Sequence, residues 1–315
     1  MQIVILDGYS VNPGDLSWSW LEQFGTVSVY DRTPQELVKQ RMLGADVVLT
    51  NKCRIGAQEL ERANRLKYIG ELATGYDGID LVAARERGIA ITNIPAYSTE
   101  SVAQHEMALL LEIALHVGHH STEVHRGRWT ASPDFCFWDT PLIELSGLTF
   151  GIIGCGKIGC AVAKLAAAFN MRVLGYSRGE HPAFPGERTD LDTLLRTSDI
   201  IALHCPSNAE TRGMIDTEAI GKMKPGAILL NTARGDIVDP IAVADALKNG
   251  RLYGYGTDVA SPEPITRSNP LLGLGNCVIT PHIAWAPLAA RKRLMMIAEQ
   301  NLVAFFSGER LNRVD

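Results

Sequence analysis

Short apolar runs alternate with stretches of helical period from the first residues onward. Runs at Ile3–Asp7, Val27–Tyr30, Asp46–Thr50, Tyr68–Leu72 and Ile89–Asn93 predict strands. The stretches between them predict helices, and one start signal is explicit: Thr33 as N-cap, Pro34 in the first turn and Glu36 as the acid of a capping box. A second series begins near Thr149, with strands expected at Phe150–Ile153, Arg172–Tyr176, Ile200–Cys205, Ala227–Asn231, Tyr253–Thr257 and Cys277–Thr280. Strands that alternate with helices predict parallel sheets covered on both faces, so the expected class is α/β.

Between the two series, Ser98–Arg126 reads as one long helix. Its core, AQHEMALLLEIALHVGHH, is apolar over much of its circumference, which requires burial on more than one face. It is expected to link two domains and to pack against a second subunit. Pro287–Phe306 reads as another long amphipathic helix. No internal repeat, low-complexity tract or disordered linker interrupts the pattern.

Composition narrows the class further. The chain has 315 residues, enough for about two domains, with 46% hydrophobic and 21% charged residues. A formal net charge of -5 argues against nucleic acid and anionic membrane as partners. No apolar run reaches the length of a membrane span. The opening MQIVILDGYS reads directly as a strand with no basic leader, so no signal peptide is expected. The six cysteines, at 53, 136, 155, 160, 205 and 277, contain no CxxC pair and predict reduced thiols in a cytoplasmic protein.

Candidate chemistry begins at LTFGIIGCGKIGCAVAKLAAAF, where an apolar strand runs into Gly154, Gly156 and Gly159 and an alanine-rich helix runs out. The spacing alone is weak evidence, but this setting predicts a dinucleotide turn in a sheet of six strands. Gly154 permits the tight turn, Gly156 lets backbone approach a pyrophosphate, and Gly159 lets helix and strand pack closely. The amides of Lys157, Ile158 and Gly159, at the helix start, are expected to face the phosphates. The residue closing the second strand normally reports the cofactor, and a carboxylate there holds the ribose of NAD. Here Ser177 and Arg178 stand in its place, which favours NADP, with NAD as the alternative in a site that tolerates serine.

Three further strands end in titratable residues: Arg234 after ILLNTA, Asp258 and Glu263 after GYGT, and His282 after CVITP. In an open parallel sheet the ligand crevice lies at those ends. Reduction of a 2-keto acid needs a cation for the carboxylate, a proton donor for the carbonyl oxygen and a partner that favours the donor's charged form. Arg234, His282 and Glu263 match the three demands. Taken singly, Arg234 also fits a surface ion pair, Glu263 a solvated loop acid and His282 a satisfied histidine after Pro281.

At these residues the chain resembles the D-isomer-specific 2-hydroxyacid dehydrogenases over nearly its whole length. The glycine turn, NTARG, the stretch from Asp258–Val259 to Glu263–Pro264 and TPHIAW stand in family order. NPGDLSW, DFCFWD and HIAWAP resemble the glycerate dehydrogenase and hydroxypyruvate reductase branch. The resemblance implies a flavodoxin-like substrate domain at 1–98 plus 286–315, an NAD(P)-binding Rossmann domain at 99–285, and an active site in the cleft between them. It implies that Arg234 binds the carboxylate, that His282 is the general acid and base, and that Glu263 holds His282 charged. Asp258 would contact the nicotinamide end, with Thr232, Ala233, Cys205 and Pro206 lining the groove. In LATGYDG, Thr74 and Gly75 would offer amides to the substrate carboxylate. The helix near Ser98–Arg126 looks like the family's dimerisation arm, implying a homodimer. Hydroxypyruvate and glyoxylate are the implied substrates.

Other readings carry less. His116, His119, His120 and His125 share helix faces, yet no acid or cysteine completes a metal set. Trp138 and Trp285 read first as packing aromatics; the alternative has Trp285, three residues from His282, walling the substrate pocket and Trp138 reaching it from the other subunit. Phosphoglycerate dehydrogenase is disfavoured because LATGYDG offers no basic residue for a phosphate, and formate dehydrogenase because Glu263 stands where its relatives have Gln. A dinucleotide-sensing corepressor would bind cofactor without turnover.

Overall fold

In a computed structural model, residues Met1–Asp315 divide into two compact units, Met1–Ser98 with Ala286–Asp315, and Thr99–Trp285. The first unit holds β1 (Gln2–Ile5), β2 (Thr26–Val29), α1 (Gln35–Arg41), β3 (Val47–Thr50), α2 (Ala57–Leu60), β4 (Tyr68–Glu71), α3 (Leu81–Glu86) and β5 (Ala90–Thr92). The second holds α4 (Thr99–Leu115), α5 (Val117–His125), β6 (Thr149–Ile153), α6 (Lys157–Ala168), β7 (Arg172–Tyr176), β8 (Glu187–Arg188), α7 (Leu191–Thr197), β9 (Ile200–Leu203), α8 (Thr217–Lys222), β10 (Ala227–Asn231), α9 (Pro240–Lys248), β11 (Leu252–Thr257) and β12 (Cys277–Ile279). Helix α10 (Leu288–Phe306) returns to the first unit.

The first sheet runs β2-β1-β3-β4-β5, all parallel, with its switch point between β1 and β3. Asp7, just past β1, holds that edge together. Its carboxylate accepts the amides of Asn51, Lys52 and Cys53 at 2.7, 2.6 and 3.1 Å. One face packs Val4, Val48, Ile69 and Ile91 into a core with Val38, Met42 and Leu60. On α10, Phe305 stacks 4.9 Å from Tyr68, and Arg291 grips Asp15 through two 2.6 Å contacts.

The second sheet runs β12-β11-β10-β9-β6-β7-β8, also parallel, and reverses direction between β6 and β9. Its strands alternate between two cores, as a period of two demands. Phe150, Ile152, Ile200, Ala202, Ile228 and Leu230 join α4 and α6 in one core. Ile153, Ile201, Leu203 and Leu229 join α7, α8 and α9 in the other. In β11, glycine replaces bulk on the α4 side: a Cβ on Gly254 would lie 2.4 Å from Ile113, and one on Gly256 3.1 Å from Leu109. These glycines bring α4 close against the sheet.

Three sequence expectations need correction. The single helix over Ser98–Arg126 is two, because His116 adopts φ 48° and breaks it between α4 and α5. The Glu112 carboxylate then accepts the Gly118 amide at 3.1 Å. Thr33 is not an N-cap, since its hydroxyl donates to the Leu6 carbonyl and Pro34 occupies the capping position of α1. The second sheet has a seventh strand, β8, whose two exposed residues give no hydrophobic signal.

Candidate active site

The glycine turn sits at the reversal point of the second sheet. Gly154 has φ +109°, and a Cβ there would lie 2.5 Å from the His204 carbonyl carbon at the end of β9. At Gly159 a Cβ would meet the Gly154 carbonyl oxygen at 2.1 Å. Gly156, the N-cap of α6, has nothing within 4 Å of its Cβ position. The three glycines therefore meet the three demands of a diphosphate cradle: a left-handed turn, open backbone and close helix packing. Lys157, Ile158 and Gly159 begin α6, whose positive dipole end favours an anion. Cys155 is buried, and Cys160 donates to its carbonyl at 3.3 Å, so both serve packing.

Past β7 the backbone turns through Ser177 and Arg178, with no carboxylate at the strand end. The Ser177 hydroxyl donates to the Gly179 carbonyl at 3.0 Å. Arg178 pairs with Glu210, which the sequence did not bring to notice. A second guanidinium, Arg188 of β8, donates to the Ser177 and Gly179 carbonyls at 2.9 and 3.2 Å. Two cations thus flank this turn.

Cys205 and Pro206 follow β9, the strand beside the turn, and Thr232 and Ala233 follow β10, the next strand out. Burial pushes the Cys205 thiol up, which leaves it protonated and unreactive. The Ala233 amide donates to Asn231 Oδ1 at 3.1 Å, and Asn231 Nδ2 donates to the Arg234 carbonyl at 2.9 Å. That buried asparagine fixes the turn that presents Arg234.

The other two members of the proposed set are in contact. His282 Nδ1 lies 2.7 Å from Glu263 Oε2. The Glu263 carboxylate is held in turn by the Ala260 amide, which donates to Oε1 at 3.0 Å. A carboxylate only accepts, so the ring proton is on Nδ1 and Nε2 is left for chemistry. Arg234 approaches the same loop through its neighbour: a Cβ on Gly235 would lie 2.1 Å from the Ala260 carbonyl carbon. The turns carrying Arg234 and Glu263 are therefore packed backbone to backbone. His282 has φ 55°, a conformation uncommon for a side chain with a Cβ. Its amide donates to the Thr280 carbonyl at 3.0 Å. The next two amides, Ile283 and Ala284, donate to Asp258 at 2.9 and 2.8 Å. Asp258, 1% exposed, also accepts the Thr280 hydroxyl at 2.6 Å. The resemblance sends Asp258 to the nicotinamide end; here its oxygens hold the His282 turn.

In the first unit, Thr74 is exposed and Gly75 half-buried in the loop after β4. The Thr74 hydroxyl donates to the Ile94 carbonyl at 2.9 Å, and its own carbonyl accepts from Asn93 at 2.8 Å. Trp285 is half-buried and Trp138 63% exposed. The histidines of α5 gather no metal set: His119 bonds Asp139 at 2.6 Å, His120 bonds the His116 carbonyl at 2.8 Å, and no group of three or more His, Cys, Asp and Glu is placed to hold an ion. No helix is long and apolar enough to cross a membrane.

Sequence reasoning passed over His105, Glu106 and His204, which lie beneath the strand ends. His204 Nε2 is 3.0 Å from Glu106 Oε1, and Thr232 donates to Glu106 Oε2 at 2.5 Å. His105 Nε2 is 2.8 Å from Thr280 Oγ1. No local pattern announces such contacts; only a polar pair in an apolar helix marks them.

Comparison with known proteins agrees with this architecture. Residues 107–284 match the family described as D-isomer specific 2-hydroxyacid dehydrogenase, NAD binding domain. The chain is 50% identical over 321 residues to a hydroxypyruvate reductase of Blautia hydrogenotrophica, covering 100% of both chains. It is 38% identical to a glycerate dehydrogenase of Methylorubrum extorquens, covering 90% of this chain and 89% of that one. The TT0316 protein of Thermus thermophilus superposes with a TM-score of 0.87 at 37% identity, covering 100% of both chains. The cofactor is accordingly a nicotinamide dinucleotide. From glycine turn to whole-chain likeness, the chain belongs to the D-isomer specific 2-hydroxyacid dehydrogenase family.

Proposed function

We propose that this protein reduces a small 2-keto acid, hydroxypyruvate or glyoxylate, to the D-2-hydroxy acid with NADPH in preference to NADH. The observation that carries the reading is the Glu263–His282 contact of 2.7 Å, set past the strand ends of a sheet with a dinucleotide turn. When bound, the nicotinamide supplies the hydride. The Arg234 guanidinium pairs with the substrate carboxylate as a planar fork. His282 donates the Nε2 proton to the carbonyl oxygen as negative charge develops there, and takes it back in the oxidation direction. Glu263 stabilises the imidazolium and fixes the ring through Nδ1. Thr74 and Gly75 are assigned to the substrate carboxylate and Trp285 to the pocket wall. The likeness to a hydroxypyruvate reductase and a glycerate dehydrogenase supports this choice of substrate.

The unit Thr99–Trp285 is read as the cofactor domain and the other as the substrate domain. Six unpaired cysteines support a reducing compartment, the cytoplasm. Exposed Trp129, Phe135, Trp138 and Leu142 after α5 support a homodimer.

Arg234→Ala tests the assignment. We expect kcat/KM for hydroxypyruvate to fall by about 10² or more, since truncation removes a charge-assisted fork, while dinucleotide affinity by nicotinamide fluorescence is kept. Unimpaired keto-acid reduction in that variant overturns the reading.

A further inference from the structure

Helix α4 packs an apolar face on the second sheet, yet it carries two consecutive polar side chains into that interface. Glu106 is 0% exposed, and the His105 side chain 20% exposed. A buried carboxylate is costly unless it is paired and hydrogen-bonded. Glu106 is both: one oxygen meets His204 at the end of β9, whose side chain is 2% exposed, and the other meets Thr232 just past β10. His105 supplies the remaining two strand ends. Thr280 has one hydroxyl proton, and its shortest acceptor is Asp258 at 2.6 Å. The 2.8 Å contact from His105 Nε2 therefore donates to Thr280 Oγ1, with Asp258 Oδ1 3.5 Å away. The chain of donors runs from His105 through Thr280 to Asp258, and Asp258 holds the amides of Ile283 and Ala284 that follow His282.

Two adjacent residues of one helix thus tie together the carboxyl ends of four neighbouring strands, β9 to β12. Gly254 and Gly256 of β11 let the helix lie close enough for short polar side chains to reach. A merely cohesive interface would be better served by apolar side chains here.

We propose that His105 and Glu106 are positioning residues of the catalytic set. His105 acts through Thr280 and Asp258 to hold the left-handed His282 turn. Glu106 acts through Thr232 and His204 to hold the start of the turn that presents Arg234. Neither touches substrate. The inference rests on the functional reading above.

The test uses the full chain with hydroxypyruvate and NADPH or NADH, whichever it turns over faster. His105→Ala leaves Thr280 without its donor, and kcat is expected to fall about 10–100-fold, the effect of a displacement near 1 Å. Dinucleotide affinity by nicotinamide fluorescence is expected to stay within about threefold, because the glycine turn is untouched. His105→Gln is expected to recover most of kcat, since its amide Nε2–H reaches Thr280 from nearly the same position. Glu106→Ala is expected to raise KM for the keto acid, through Arg234, more than it raises KM for the dinucleotide, and Glu106→Gln to restore it in part. Melting temperatures of each variant separate positioning from unfolding. A His105→Ala variant with wild-type kcat overturns the brace, as does a loss that His105→Gln fails to repair or that follows the unfolded fraction. A wild-type chain inactive on every 2-keto acid overturns the functional reading and the brace with it; an active wild type with an undiminished His105→Ala overturns the brace alone.

Discussion

Arg178 and Glu210 meet past the end of β7, beside the proposed ribose site, with side chains 60% and 65% exposed. An exposed pair of this kind is weak and screened by salt. A ribose phosphate offers more charge and more acceptor oxygens than one carboxylate, so the proposed NADPH preference predicts that it would displace Glu210 from the fork. Arg188, anchored on the Ser177 and Gly179 carbonyls, adds a second positive charge to the same turn. Two substitutions separate attraction from competition. Arg178→Gln is expected to lower kcat/KM for NADPH by about tenfold, the worth of one charged hydrogen bond, and to leave NADH nearly unchanged. Glu210→Gln, which frees the fork, is expected to raise kcat/KM for NADPH a few-fold. The readout is the ratio of the two specificity constants. A ratio unmoved by Arg178→Gln removes the case for NADP, and one unmoved by Glu210→Gln alone removes the competition.

At the level of elements, legibility followed the reach of the signal. Most of the eleven strands were readable as runs such as Ile228, Leu229 and Leu230, buried on both faces by the covering helices, whereas the edge strand β2 is largely exposed and β12 half-buried. The glycine turn was readable because its three demands fall within six residues. The α4–α5 break was not, since neither Gly nor Pro stands at His116 and the left-handed residue is a histidine. Thr33 was misread because a distant carbonyl, Leu6, outcompetes the local helix amides for its hydroxyl. The Glu106–His204 contact joins residues 98 apart in sequence, beyond any periodicity. Of the site, the residue types at strand ends and the helix itself were visible, whereas the polar contacts between them were not. The segment after α5 shows the same limit. Asp139 ties it down with Arg128, which grips both oxygens at 2.6 Å, and with His119 at 2.6 Å. The Arg128 guanidinium, with the His119 ring, holds the Asp139 carboxyl well below the usual range. The result is a fixed loop that presents Phe135, 89% exposed, and Trp138 to the outside. The homodimer proposed above predicts that Phe135→Glu with Trp138→Glu reduces the mass in solution from two chains to one, 34.3 kDa. Light scattering after gel filtration decides it; a variant still dimeric assigns the interface elsewhere.

For the whole molecule, the pH range of stability is set in part by two carboxyls of the first unit that act with opposite sign. Glu71 closes β4 and is 4% exposed. Burial raises its carboxyl well above the usual 4.5; Lys52 opposes the rise, and Asp7 and Asp77 add to it. A carboxyl raised in the folded state favours folding at low pH, where it is neutral in both states. That advantage is lost as pH climbs from about 4.5 through the raised value, because the unfolded chain ionises and the folded one resists. Asp315 is the reverse case. Burial pushes it up, but Arg313 and the Ile91 amide outweigh burial and hold it at about 2. Its contribution is present above about 3.8 and lost as pH falls toward 2. Glu71→Gln removes the first effect and leaves the second. Its melting temperature is expected to match the wild type near pH 4.5 and to exceed it by several degrees at pH 8, since each kcal/mol is worth about 2–8 °C in domains of this size range. The acid limb below pH 4 is expected to persist. Calorimetry from pH 3 to pH 9 is the check, and a gain that is independent of pH would mean that the substituted amide stabilises by packing and that the Glu71 carboxyl is ionised in the folded chain.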